Sequence, residues 1–348
     1  MMIASFFSKG AAWVPMDWVR PFSGVSLVVP YYHMVSDAHV PHVSNLYRFR
    51  SISEFTSDVE FFARRFKPVA LGDIVEALNG TRTLRRPSFH PTFDDGFAEM
   101  YDIVAPVLQR AGIPATFFLN TAFLDGGGLA HHNALSVLLD QIQLHHSKSS
   151  SLISRLESIL PASGSGSKSL RERMLSIGYA GRSLVRSIAE ILGFDLDRYV
   201  RETRPYLSSG QVTSLLDRGF NIGAHSHDHP LYADLSLSEQ LSQTRMSMEL
   251  LATKFKPSPK AFAFPHNDSG VQSEFFTAAF SERLLDVSFG TSGLVPHFNP
   301  RNIERVCMEK TSAPATRILA RQFMRATYFR LRPTTTGSVG VSRQQSVI

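Results

Sequence analysis

The chain has 348 residues, 43% hydrophobic and 19% charged, which is enough apolar material for a large core and excludes a chain that stays unfolded. Lys and Arg number 36 against 30 Asp and Glu, a formal charge of +6; they are scattered rather than gathered in one block, which speaks against nucleic-acid reading and for a solvated basic surface. A single cysteine, Cys307, excludes an intramolecular disulfide and a cysteine-held zinc cluster, and it suits a reducing compartment.

The opening segment, residues 1–24, contains Phe6, Phe7, Trp13 and Trp18, but Lys9, Asp17 and Arg20 interrupt it before an apolar run of signal length develops. No later stretch offers about 18 uninterrupted apolar residues, so no membrane span is expected. The expectation is a cytoplasmic protein whose aromatic N-terminus packs on the domain or makes peripheral contact with a membrane.

A β-branched and aromatic run over 25–32 reads as a buried strand that delivers His33 to a loop. Phe55, Val59, Phe62 and Phe66 recur at spacings of three and four after Ser53, the pattern of a capped amphipathic helix. Strand 68–71, helix 73–78, strand 88–93, helix 97–111 and strand 114–119 follow. Between 126 and 204 the pattern changes to helical segments rich in Leu, Ser and Arg, broken by a flexible run at 161–168, which marks an insertion. Alternation then resumes: helix 208–218, strand 220–224, helix 237–255, strand 261–264, further βα material over 271–289, a last strand at 303–308 and a helix near 315–326. Such alternation implies parallel βα units. One domain over 25–330 is therefore expected, with a disordered tail at 331–348, rich in Thr, Ser, Gly and Gln.

Polar chemistry gathers where strands end. The segment HPTFDDGF, residues 90–97, places Asp94 and Asp95 side by side before a glycine. Two adjacent carboxylates repel unless a cation or a shared proton relieves them, so the pair suggests metal binding by one and proton transfer by the other. Alone, an Asp-Gly turn with a helix cap explains them equally well. The segment GAHSHDHPL, residues 223–231, sets His225 and His229 four apart; on a helical turn their Cβ atoms would stand about 5–6 Å apart, near enough to share a zinc ion. His227 points elsewhere, and Ser226 or Asp228 orders the turn. Asp95, His225 and His229 together form a two-histidine, one-carboxylate set with open positions for water and substrate, leaving Asp94 to accept the proton of the attacking water. The segment AFAFPHND, residues 261–268, ends a third strand, and the backbone N–H of His266 is a candidate oxyanion donor beside Pro265, which has none to give.

TFDDG at 92–96, HSHDH at 225–229 and FAFPHN at 262–267, with the early Tyr32-His33 pair, the PATFF strand at 114–118 and Gly219-Phe220, resemble the polysaccharide deacetylase family, carbohydrate esterase family four. The resemblance implies an α/β fold, a distorted (β/α) barrel of about seven strands with the site at the strands' C-terminal ends, here carrying the helical insertion. It implies Asp94 as base and Asp95, His225 and His229 as ligands of a divalent metal, zinc first, with cobalt, nickel or iron as alternatives. Two departures stand out. The arginine that orients the base in the family's third motif is missing, since Lys260 precedes the strand and His266 follows the proline, and Arg305 is the candidate to take its place. The later tryptophan motif is absent and no leucine-histidine motif follows Phe289, which leaves His297 and His33 as candidates for the general acid.

The expected activity is removal of an N-acetyl group from an amino sugar of a polysaccharide, oligosaccharide or glycan precursor, in surface polysaccharide biosynthesis. A related hydrolase of another amide, such as a formamido sugar or cyclic amide, is the alternative within enzymes. A carbohydrate-binding protein without turnover is the alternative outside them.

Overall fold

The computed structural model describes residues 15–84, 87–145, 150–161 and 168–331. Phe6, Phe7 and Trp13, and all of the expected tail except Leu331, lie outside the described residues, as do residues 162–167 of the Ser- and Gly-rich run.

The strands are β1 (Leu27–Val28), β2 (Pro30–Tyr32), β3 (Lys67–Pro68), β4 (Ser88–Phe89), β5 (Thr92–Phe93), β6 (Thr116–Leu119), β7 (Asn221–Ala224), β8 (Ala261–Ala263), β9 (Val287–Gly290), β10 (Asn302–Glu304) and β11 (Val306–Cys307). Eight of them form one sheet in the order β10-β9-β8-β7-β6-β5-β2-β11, with every pairing parallel. The two outer members of that order, β10 and β11, are halves of one extended stretch separated only by Arg305. β10 pairs with β9, and β11 pairs with β2. One strand thus closes the ring by switching partners at Arg305, and the result is a nearly closed (β/α) barrel of seven continuous strands.

The same device recurs beside the seam. β1 with β2, and β4 with β5, are two broken strands; their lower halves form a small sheet in the order β1-β4-β3. Pro30 and Pro91 lie at these breaks and have no N–H for a ladder. Strands buried on both faces read as nearly continuous apolar runs, which is why the residues of β6 were recognisable: Thr116, Phe117, Phe118 and Leu119 are all fully buried.

Two helical expectations are corrected. The helix Ile52–Arg65 is capped by Ser51, not Ser53: Ser51 Oγ accepts from Glu54 N at 3.1 Å and Ser51 N donates to Glu54 Oε2 at 3.0 Å. Glu54 stands three residues after Ser51, the spacing that lets both orphan amides be satisfied reciprocally. The stretch expected as one helix over 97–111 begins with a π-turn, Met100–Val104, before the α-helix Ala105–Ala111. Pro106 has no N–H to donate to the carbonyl one turn back, so the first turn widens.

Between β6 and β7 the helices His131–His145, Ser150–Ile159, Leu170–Leu175, Leu184–Leu192 and Leu196–Thr203 surround an apolar cluster of their own, including Leu135, Leu138, Leu156, Met174 and Ile188. Polar bonds join them to the loop after β2: Asn45 Nδ2 donates to Ser136 O at 3.1 Å, and His39 Nε2 lies 2.6 Å from Asp140.

Phe117 is fully buried, with its ring 5.1 Å from Phe93 and 5.4 Å from Phe220. Phe117→Ala is expected to cost about 3–5 kcal/mol of folding stability. In urea titration the midpoint should fall with an unchanged slope; a change in slope instead would mean that the ring holds no common core.

Candidate active site

Six of the seven barrel strands, all but β9, hand a polar residue of the site to the same end of the barrel. β2 is followed by His33, β5 by Asp94 and Asp95, β6 by Asn120, β7 by His225, β8 by the loop that carries His266, and the β10–β11 strand by Glu309. Parallel strands all point their C-terminal ends the same way, so these residues converge although His33 and Glu309 stand 276 positions apart in the chain.

Asp95 Oδ1 lies 3.5 Å from His225 Nε2 and 3.2 Å from His229 Nε2, and the three ligand atoms all lie within 4.8 Å of one another. Bonds of about 2.0–2.2 Å to one tetrahedral cation would set neighbouring ligand atoms roughly 3.4 Å apart, so the set fits a zinc-sized ion. The tautomer fits as well. His225 Nδ1 is 2.8 Å from the Ala263 carbonyl and must donate to it, which leaves Nε2 unprotonated and facing Asp95. Burial lowers the His225 pKa to about 4, so the ring is neutral near pH 7.

The turn that presents these histidines is not helical. Ser226 and His229 both have left-handed backbone, φ 67° and 66°, and His229 N donates to Ser226 Oγ at 3.0 Å. Asp228 leaves the site: it accepts from Tyr179 Oη at 2.6 Å and from Gln243 Nε2 at 2.7 Å. His227 Nδ1 is 3.0 Å from Thr121 Oγ1. On the other motif, Asp95 and Gly96 are left-handed too, φ 71° and 73°, and a Cβ at Gly96 would stand 2.9 Å from Leu119. Gly96 is therefore the residue that lets Asp95 turn back over the strand ends.

Asp94 faces Arg305. Its two oxygens accept from Nη1 at 2.7 Å and Nη2 at 2.8 Å, while Arg305 Nε donates to Gly290 O at 3.0 Å and Nη1 also reaches Thr92 Oγ1 at 3.1 Å. Burial alone would push the Asp94 carboxyl up; Arg305, followed by His225, outweighs it and holds the group below the ordinary carboxylate range. Asp95 is likewise held down, by His229 ahead of His33 and His225, against the opposing effect of burial.

His33 stands on the other side of the carboxylates. Its Nδ1 is 2.7 Å from Glu309 Oε2, whose oxygens also accept from the backbone N–H groups of His33 and Met34 at 2.9 and 3.0 Å. Burial opposes charge on the ring, yet Glu309, then Asp95 and Asp94, outweigh it and raise the His33 pKa to about 10. Tyr47 packs on His33, ring centroids 4.9 Å apart, and its hydroxyl is 3.4 Å from Asp95 Oδ2. The ring of His266 lies 4.4 Å from that of His229, and His132, from the first helix after β6, lies 5.3 Å from His266.

The structure thus gathers Asp94, Asp95, His225, His229, His33, His266 and Arg305. His297 is placed elsewhere, against Phe276 and Phe298, with Nε2 3.7 Å from Asp268. Its Nδ1 accepts from Asn299 N at 3.1 Å, so the protonated Nε2 faces the carboxylate. Sequence reading missed Tyr47, Asn120, Glu309 and His132. Asn120 and Glu309 follow strand ends and were findable by the same rule that pointed to Asp94; Tyr47, in the long loop after β2, carries no such signal.

A parallel barrel whose strand ends assemble a buried carboxylate and imidazole set is a frame suited to hydrolysis. The family model described as polysaccharide deacetylase matches residues 81–145 and 189–277, and the unmatched interval between them falls within the helices around the second apolar cluster. Over those residues, somewhat less than half of the chain, it is similar to the polysaccharide deacetylase family, which indicates a hydrolase of non-peptide carbon–nitrogen bonds. Among solved structures it is similar to the deacetylase PplD of Streptococcus pyogenes in complex with acetate, with 12% identity over 84% of this chain and 96% of that chain and a TM-score of 0.53. It is also similar to IcaB from Ammonifex degensii, with 15% identity, coverage of 85% and 97% and a TM-score of 0.53. A de-N-acetylase from Aggregatibacter actinomycetemcomitans gives 15% identity, 83% and 96% coverage and a TM-score of 0.51. At these identities the likeness is one of fold. No curated protein matches the sequence.

Replacing Glu309 by Gln is expected to bring the His33 pKa of the metal-free protein down from about 10 toward the ordinary imidazole value near 6.5, readable by NMR titration of the ring. The folded-state value is the raised one. The pairing therefore stabilises the fold fully below about pH 6.5 and is lost as pH rises through about 10. A parental His33 that titrates near 6.5 would remove the basis for this assignment.

Proposed function

We propose that the protein removes an N-acetyl group from an amino sugar of a polysaccharide, oligosaccharide or surface-polysaccharide precursor, with a divalent cation, zinc first, held by Asp95, His225 and His229. The observation that carries the reading is the juxtaposition of that three-ligand set with an Asp94 carboxylate held in place by two hydrogen bonds from Arg305. A cation there would supply Lewis acidity and a bound water of lowered pKa.

The protein's own groups account for the proton movements. Asp94 accepts a proton from the water that attacks the amide carbon. Its anchored oxygens keep it ionised and aimed, since both are fixed by one planar guanidinium. As the carbon–nitrogen bond breaks, the departing sugar nitrogen needs a proton, and His33 carries one because Glu309 keeps the imidazole charged. Acetate and the free amino sugar leave. The backbone N–H of His266 and the hydroxyl of Tyr47 are the donors proposed for the acyl oxygen. On the single cysteine, Cys307, we also propose a cytoplasmic setting.

The test is product analysis with metal-loaded protein and N-acetylated sugars, measuring acetate against formate. Acetate release supports the reading, formate release moves the substrate to a formamido sugar, and sugar binding without either product leaves a non-catalytic binder. His225→Ala is expected to lose metal and turnover together. Asp94→Ala should keep its metal, measured by elemental analysis, while kcat falls by about 10²–10⁴-fold. Retention of parental kcat by Asp94→Ala would overturn the assignment of the base.

A further inference from the structure

Trp18 and Phe22 of the N-terminal segment and the arginines of the last helix are not among the residues gathered at the site, yet they come together in one place. The helices Met16–Ser23 and Ala315–Leu331 pack on each other; Arg330 Nη1 donates to Phe22 O at 3.3 Å, and Thr327 Oγ1 is 3.4 Å from Val19 O. Nine large apolar side chains are exposed among the described residues, and five of them are on these two helices: Trp18 at 71%, Phe22 at 65%, Tyr328 at 40%, Phe329 at 44% and Leu331 at 72%. Trp18 and Phe22 stand four apart and so share one helix face. Chance exposure scatters singly over a surface; a cluster on two adjoining helices marks an interaction site.

The charge around the cluster has one sign. The helix Ala315–Leu331 carries Arg317, Arg321, Arg325 and Arg330, all exposed, and no Asp or Glu. Arg317, Arg321 and Arg325 follow at intervals of four along the outward face, opposite Leu319, Phe323 and Ala326, which are buried. The one acid of the shorter helix, Asp17, is paired with Arg65 at 3.0 Å. Among the described residues no helix is long and apolar enough to cross a membrane.

We propose that this two-helix surface docks the protein on an anionic lipid bilayer. Aromatic and leucine side chains enter the headgroup region, and arginines meet lipid phosphates, the division of labour of an interfacial amphipathic helix. A nucleic acid would use the arginines and leave Leu331, Phe22 and Trp18 without apolar partners. The aromatic end of the surface lies next to Gly24, just before β1 begins, while Arg325 Nη1 donates to Ser292 O in the loop after β9 at 2.7 Å, so the arginine row runs along the side of the barrel.

The experiment uses full-length protein and vesicles of pure phosphatidylcholine or of phosphatidylcholine mixed with phosphatidylglycerol. Co-sedimentation with the anionic vesicles is expected, together with a blue shift in the emission of Trp13 and Trp18, the two tryptophans of the chain. Trp18→Ser with Phe22→Ser should weaken binding by about tenfold or more, from the lost apolar burial. Arg317→Gln and Arg321→Gln should each weaken it by about fivefold. All three variants replace exposed side chains, and unchanged circular dichroism checks that they fold. Equal binding to neutral and anionic vesicles, binding unaffected by the Trp18 and Phe22 changes, no binding, or binding of an oligonucleotide in place of vesicles would each overturn the proposal.

Discussion

The pair between Arg305 and Asp94 is the interaction on which both barrel and site depend. A guanidinium with no exposure costs several kcal/mol to bury unless its donors are met. Here Nε, Nη1 and Nη2 reach Gly290 O, Thr92 Oγ1 and both oxygens of Asp94, while Cζ lies 4.6 Å from the Tyr31 ring centroid. Those partners sit on β9, on β5 and just after β5, and Tyr31 is on β2. The arginine itself occupies the break between β10 and β11, where the ring closes. One side chain thus ties the seam of the barrel to the residue proposed as base, and lysine, a point charge without a planar fork, could not do both.

Much of the architecture was legible because parallel strands buried on both faces leave continuous apolar runs, as in Phe117-Phe118-Leu119. Asp94, Asp95, His225 and His229 were legible for a related reason: the strand ends concentrate polar residues in short segments of sequence. What was hidden depends on contacts across the chain. Glu309 matters through His33, 276 positions away, and Tyr47 through Asp95, 48 away. Neither relation leaves a local pattern. Arg305 was reachable only by noticing that an arginine was missing where the family's third motif places one. His297 drew notice as a histidine late in the chain, but chain order says nothing about which side of β10 a loop will take.

The helices between β6 and β7 show how an insertion reaches the site without disturbing the frame. They keep an apolar core of their own and reach the turn behind His229 through Tyr179 on Asp228 and the site through His132 on His266. Burial keeps His132 neutral, with its pKa lowered to about 4. The insertion therefore brings an imidazole but no charge to a place where added positive charge would compete with a cation.

Among the described residues eight non-glycine residues have positive φ, and four of them, Asp95, Ser226, His229 and His266, belong to the site or its turns. Each such residue gives up roughly 1–2 kcal/mol relative to relaxed right-handed backbone. The catalytic end is thus the least relaxed part of the molecule, held in its shape by the surrounding barrel. Selection for heat tolerance would find gains in backbone torsion at these positions through glycine or asparagine, but at Asp95 and His229 each gain would remove a side chain of the proposed ligand set. Thermostability and turnover are set against each other at those two residues.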